Sequence, residues 1–218
     1  MTDTVNYVFG YGSLIERGSR TRTNPSAEGA PPVIVDHIAR GWWINGVNPG
    51  FSTCFLGVQQ QPGARCNGVV YALKEHDFVQ LDKRERMYNR VQIPIEDMHF
   101  LDGSDGLPDN AVVWTYAVPD ALRTIPTPDF PIIQSYVDTC INGCFEVEEA
   151  YPLAKAADYA RMFIEETADW SHYWENDRMW PRRPWSTVPR AFQIDGFLQE
   201  MLPELFAMIK LQPARWDD

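Results

Sequence analysis

The sequence predicts an α+β fold in one domain, a curved or closed β-sheet with a helical C-terminal part. Three observations carry that expectation. Apolar alternation marks six short strand candidates before residue 119. Few helices lie between them, which disfavours a doubly wound parallel sheet and favours a curled one. From residue 133 onward the apolar spacing becomes helical.

The first strand candidate carries Val5, Tyr7, Phe9 and Tyr11 in alternation and runs into a Gly-rich turn. Val33–Ile44 and Phe51–Val58 follow, then Asn67–Leu73, Arg90–Met98 and Ala111–Val118. Asp102–Asn110 is dense in turn formers and joins the last two. Lys74–Arg86 has helical composition, with Phe78, Leu81, Asp82 and Glu85 on one side. After the stop PTPDFP, Ile133, Tyr136, Val137, Cys140, Ile141 and Cys144 keep helical spacing. Tyr151–Thr167 and Phe192–Ile209 read as two further helices, separated by the Trp-, Arg- and Pro-rich stretch DWSHYWENDRMWPRRPW.

Composition narrows the class of function. The chain has 218 residues, and its 8 Trp, 9 Tyr and 11 Phe supply enough apolar area to offset the entropy of ordering. The net charge of −11 is spread along the chain, −5 over residues 1–145 and −6 over residues 146–218. Such a surface repels phosphate backbones and anionic lipid, so neither nucleic acid nor membrane is the expected partner. Four cysteines make no disulfide framework, and no CxxC or spaced histidine set suggests zinc. Cys140 and Cys144 share a face with the apolar stripe and read as reduced packing thiols. MTDTVNYVFGYGSL has neither a basic nor an apolar leader region, and the expected location is cytoplasmic.

Two local features can carry chemistry. The first is Phe9-Gly10-Tyr11-Gly12-Ser13-Leu14, where two glycines let the backbone turn tightly and approach a ligand. Such a turn can aim several N–H groups at one spot, an anion nest, although an ordinary tight turn has the same sequence. A dinucleotide fingerprint fails, because Ile15 stands where the third glycine belongs and no βαβ unit follows. The second feature is Glu85, four residues after Leu81 and seven after Phe78, on the apolar side of its helix. It is either a helix-end glutamate reaching solvent or a carboxyl group held in a pocket as acid or base. Arg84 and Arg86 flank it, but adjacent residues on a helix point apart. No GxSxG elbow occurs, and neither Ser13 nor His172 has an assignable triad partner. Arg182-Arg183 between prolines is either a carboxylate clamp or a solvated turn.

Taken together, Tyr11-Gly12-Ser13-Leu14, Gly68-Val69-Val70-Tyr71 and Leu81-Asp82-Lys83-Arg84-Glu85 with Tyr88 and Arg90 resemble the γ-glutamylcyclotransferase-like family. The likeness continues through Val113-Trp114-Thr115-Tyr116 and Ser135-Tyr136-Val137-Asp138, and covers about Tyr7 to Phe145. It implies a small mixed β-barrel with packed helices over residues 1–145; beyond that core, 146–218 reads as a helical C-terminal extension packed on the same domain. It also implies that Tyr11, Gly12, Ser13 and Leu14 bind the γ-glutamyl part of a substrate, and that Glu85 is the acid–base residue. Two departures stand out: Arg86 where many relatives have glycine, and the extension with its WPRRPW segment.

The implied reaction is cyclisation of a γ-glutamyl amino acid, peptide or amine to 5-oxoproline, with no metal or cofactor. Its partner is a small molecule, and the sequence sets no oligomeric state. Two alternatives use the same fold: removal of a γ-glutamyl protecting group from a larger metabolite, and non-catalytic ligand binding. Glu85 argues against the last, since binding alone needs no carboxylate there.

Overall fold

The computed structural model describes residues 4–27, 29–48, 51–182 and 190–211. Strand β1 (Val5–Gly10) leads into helix α1 (Arg17–Thr23), followed by two long strands, β2 (Pro32–Asn48) and β3 (Phe51–Leu73). Next come α2 (Phe78–Arg84), β4 (Asn89–Ile93), β5 (Met98–Phe100), β6 (Ala111–Ala117) and β7 (Ile132–Ile133). The helical part holds α3 (Gln134–Ala150), α4 (Pro152–Ala156), α5 (Tyr159–Glu165), α6 (Ala191–Met201) and α7 (Pro203–Phe206). Three short strands, β8 (Thr167–Ala168), β9 (Trp174–Asn176) and β10 (Lys210–Leu211), punctuate it.

The architecture is α+β. The main sheet has the order β4-β6-β1-β3-β2-β5, with β8 added to β2. It is mixed, because β1 pairs antiparallel with β3 and parallel with β6. The curl comes from β2 and β3. The Cys66–Val69 part of β3 pairs with the start of β2, and the Phe51–Gln60 part pairs with its end. Register shifts at Asp36/Ile38 and Trp42/Ile44 bend the pair, as bulges do. The sheet therefore comes back on itself, and Val58 of β3 meets Ala117 of β6. The result is a curled half-barrel.

Helices fill its open side. Val8, Phe9, Trp42, Val69, Leu81 and Val113 share one buried cluster with Cys140, Ile141 and Cys144 of α3, Phe163 of α5 and Leu198 of α6. Gly143 permits the closest approach: a Cβ there would lie 2.5 Å from the backbone N of Glu16. Helix α3 runs through residue 145 without interruption, and its N-terminus is capped from the extension. Asp177 accepts the Ser135 N–H at 2.7 Å and the Ser135 hydroxyl at 2.6 Å, placing negative charge at the positive end of the helix. Arg178 bonds the fully buried Asp138 at 2.6 Å and Asp195 at 2.8 Å.

Several elements differ from the sequence reading. The candidates 51–58 and 67–73 are one strand, because the polar residues between them stay extended at the surface. The expected helix 151–167 breaks at Asp158, which sits at φ +51°. The expected helix 192–209 breaks at Pro203, whose ring cannot continue it. The expected strand 90–98 stops at Ile93 because Pro94 has no N–H to donate. Helix α1 escapes the pattern search because RGSRTRT has no apolar period. Its Glu16 side chain caps it by accepting the Ser19 N–H. Among the described residues no helix is long and apolar enough to cross a membrane.

Candidate active site

Strand β1 leaves the sheet at Gly10, whose last pairing is with Val69. The chain then folds into a turn in which the Ile15 N–H donates to the Gly12 carbonyl at 2.9 Å. Two glycines are needed for space. A Cβ on Gly10 would lie 2.7 Å from Leu14 Cβ, and one on Gly12 would lie 3.0 Å from the Tyr136 hydroxyl.

Three arginines hold the turn from outside. Arg40, fully buried, donates to the Tyr11 carbonyl at 3.1 Å and also to Asn67, Phe163 and Thr167. Arg20 donates to the Leu14 and Ile15 carbonyls at 3.1 and 2.8 Å. Arg84 donates to the Ser13 hydroxyl at 3.1 Å. In a trans peptide the carbonyl and the following N–H point oppositely. The Tyr11 carbonyl faces Arg40, so the Gly12 N–H is turned away from it. The Gly12 carbonyl faces Ile15, so the Ser13 N–H is likewise turned away. Neither N–H meets an acceptor among the described residues.

Glu85 arrives from the other direction. It is the C-cap of α2 (φ −96°, ψ 27°), and its N–H donates to the Leu81 carbonyl at 2.8 Å. Its side chain is 16% exposed, with Oε1 lying 3.0 Å from Arg84 Nε. The expectation that Arg84 and Glu85 point apart is corrected here. The helix ends at Arg84, so Glu85 leaves helical geometry and neighbouring side chains can meet.

These parts share one small cavity, open to solvent. Tyr11, Gly12, Ser13, Leu14 and Glu85, all singled out by the sequence, line it. Phe9, Leu56, Tyr88, Tyr116 and Tyr136 complete the wall. Each of three phenols is anchored. Tyr11 donates to the Tyr116 carbonyl at 2.6 Å, Tyr88 to the Leu56 carbonyl at 2.8 Å, and Tyr116 to Asp82 at 2.6 Å. Burial pushes the Tyr11 phenol well above its ordinary range, and the charge of Glu85 adds to it. Burial raises Tyr88 in the same direction. Both stay neutral hydroxyls at any physiological pH.

Tyr136 packs edge-on against Trp42 (5.8 Å) and Phe55 (5.2 Å). Trp42 in turn meets Trp170 at 5.2 Å, and Trp170 stacks on Trp174 at 5.3 Å. The Trp-rich extension thus supports the cavity wall from behind. Arg182 is neither a solvated turn nor a substrate clamp. It is buried, donating to Glu175 at 2.6 Å and to the Ser52 carbonyl at 3.0 Å. Arg183 lies outside the described residues. His172 is exposed, with its ring 4.0 Å from that of Tyr173.

Arg20 and Arg40 were not anticipated as site-building residues. Arg40 did leave a signal, as a lone cation inside the apolar run VIVDHIARGWWI. Arg20 left none, since its helix has no apolar pattern.

The fold is a curled mixed sheet with its candidate site at the turn after the first strand, and comparison makes its class specific. Residues 8–131 match the family described as gamma-glutamyl cyclotransferase, AIG2-like; the chain belongs to that family. A solved structure titled gamma-glutamyl cyclotransferase superposes with a TM-score of 0.56 at 14% identity, covering 90% of this chain and 99% of that one. An uncharacterized protein from Homo sapiens, loc79017, gives 0.56 at 15% identity with the same coverage. At these identities the likeness is one of fold. No curated protein matches the sequence.

Proposed function

We propose that this chain is a γ-glutamylcyclotransferase-type enzyme that converts a small γ-glutamyl amino acid, peptide or amine to 5-oxoproline and releases the amine. The observation that carries this reading is the cavity shared by the Tyr11–Leu14 turn and Glu85. Family membership supports the reaction class, and the shared cavity supports the roles given to the turn and Glu85.

A γ-glutamyl compound carries its own nucleophile. The α-amine attacks the γ-carbonyl carbon, the new C–N bond closes a five-membered lactam, and the old amide C–N bond breaks. No water is consumed. Such intramolecular attack, when aligned, reaches effective molarities on the order of 10⁵ M or more. The α-ammonium must first lose a proton. Glu85 takes it and returns it to the departing nitrogen, and the second proton, shed by the attacking nitrogen as the lactam closes, ends on the released amine or in solvent. The Gly12 and Ser13 amides, pointed away from their buried partners, suit the α-carboxylate or the oxyanion forming on the γ-carbonyl. Because the arginines behind the turn fix those amides beforehand, little reorganisation accompanies the reaction.

The test is a panel of γ-glutamyl amino acids, peptides and amines read by mass spectrometry. Release of 5-oxoproline supports the reading. Free glutamate indicates hydrolysis, and no product from any compound indicates ligand binding; either outcome overturns it.

A further inference from the structure

The guanidinium of Arg84 touches both halves of the candidate site and belongs to neither role assigned above. Its Nε lies 3.0 Å from Glu85 Oε1. Its Nη2 donates to Ser13 Oγ at 3.1 Å and Ser19 Oγ at 3.4 Å. Its Nη1 donates to Thr23 Oγ1 at 2.6 Å and to the Ser19 carbonyl at 3.2 Å. One planar cation therefore spans the carboxylate, the turn and α1. We propose that Arg84 is a positioning residue for Glu85. It fixes the carboxylate relative to the Gly12–Leu14 turn, so that one bound γ-glutamyl group meets both. The inference rests on the cyclisation reading above.

The geometry gives the reason. Glu85 sits just past the last turn of α2, with three side-chain torsions to restrain. Proton transfer needs a heavy-atom separation of about 2.6–3.2 Å, and a misplacement of about 1 Å can cost on the order of 100-fold in rate. A guanidinium's donors form a rigid fork, so anchoring Nη1 and Nη2 on α1 and Ser13 fixes where Nε presents itself. An ammonium offers one point and cannot serve these directions together. The anchor is itself secure. Helix α1 is held independently by the Glu16 cap, by Arg20 donating to the Ala27 carbonyl at 2.6 Å, and by its contact with α3. Arg84 is thus not required to hold α1, and its methylene stem is replaced by a side chain of similar length in Arg84→Met, so packing there is kept.

Arg84→Met, Arg84→Lys, Glu85→Gln and the double variant Arg84→Met/Glu85→Gln test this with the panel compound that the wild type cyclises fastest. Arg84→Met is expected to lower kcat by about 10- to 100-fold while KM stays within about threefold. Arg84→Lys is expected to fall between Arg84→Met and the wild type. The double variant is expected to match Glu85→Gln, because a residue acting through Glu85 has nothing left to position. Wild-type kcat in folded Arg84→Met overturns the inference, as does a loss that multiplies in the double variant or one that falls on KM alone. If Arg84→Met does not fold, Arg84→Lys decides: wild-type kcat overturns the inference, and a several-fold loss in kcat at unchanged KM supports it. A Glu85→Gln variant at full speed is a different failure. It removes the cyclisation role of Glu85 and with it this inference, whereas a slow Glu85→Gln beside a fast Arg84→Met removes the inference alone.

Discussion

At the scale of single residues, the cavity is lined by four tyrosines, by Phe9, Leu14 and Leu56, and by the Gly12–Ser13 turn, with Glu85 as the charged side chain on its wall. Glu85→Gln keeps the shape and can still accept from Arg84 Nε, but it cannot take the amine proton. The expected outcome is a loss of at least about 100-fold in 5-oxoproline release. Unfolding free energy should stay within about 1 kcal/mol of wild type, because the amide oxygen can still accept from a guanidinium whose other nitrogens keep their partners. A parallel collapse in stability, measured by denaturant titration, would show that Glu85 is a structural ion-pair partner instead. The turn and Glu85 were legible in the sequence because paired glycines and a carboxylate on an apolar helix side are each anomalous locally. Arg84 as the link between them was not. Its role depends on where α2 ends, and a one-residue shift in a helix end lies below what periodicity resolves.

At the scale of elements, α3 is the piece against which the half-barrel closes, and its stripe was legible from spacing. Cys140 and Cys144 are thiols without a disulfide, buried there as the stripe suggested. Replacing both by Ala should lower stability by about 1 kcal/mol each and leave turnover largely intact. A folded double variant without activity would reveal a catalytic thiol. The thiols also set a pH dependence. Burial pushes Cys66 up to about 11 and Cys54 up to about 12 from an ordinary 9.0. Below about pH 8 both states keep these protons, and the thiols contribute no slope. Above 9.0 the unfolded chain releases protons that the folded chain retains, so stability should fall as pH rises toward 11. Alkylation by iodoacetamide at pH 8 should be slow until urea is added; fast labelling of the folded protein would contradict this burial. Gly143 is stricter than the cysteines. A methyl there meets the backbone of residues 15 and 16, which cannot rotate away, so Gly143→Ala should cost about 3 kcal/mol and shift the turn. Normal melting of that variant would show that α3 can slide. No sequence signal marked Gly143, because its neighbour is fixed only by the tertiary fold.

At the scale of the whole molecule, the family match ends at residue 131, before α3 begins, yet the buried cluster includes Val137, Ile141, Phe163, Trp174 and Leu198. Residues 1–131 alone should therefore show no cooperative unfolding transition; a sharp one would mean that the sheet closes its own core. A curved sheet is expected from many short strand candidates, but its curl comes from two long strands bent by register shifts. The continuity of β3 was not legible, since exposed glutamines look like a linker until their neighbours are known. That strand has a further consequence. Its two ends face different neighbours, Gly10 of β1 opposite Val69 and Ala117 of β6 opposite Val58. Residues at the start of the chain must also find the segment beginning at Ala111, since Val5 pairs with it. The β2–β3 hairpin can zip up from Asn48 and Phe51, but the pairings of β1 with β3 and β6 join distant parts of the chain, and loop closure must precede their reward. The molecule should therefore fold in milliseconds to seconds rather than microseconds, with its strand edges exposed meanwhile, so that escape from aggregation depends on how fast the ring is drawn together.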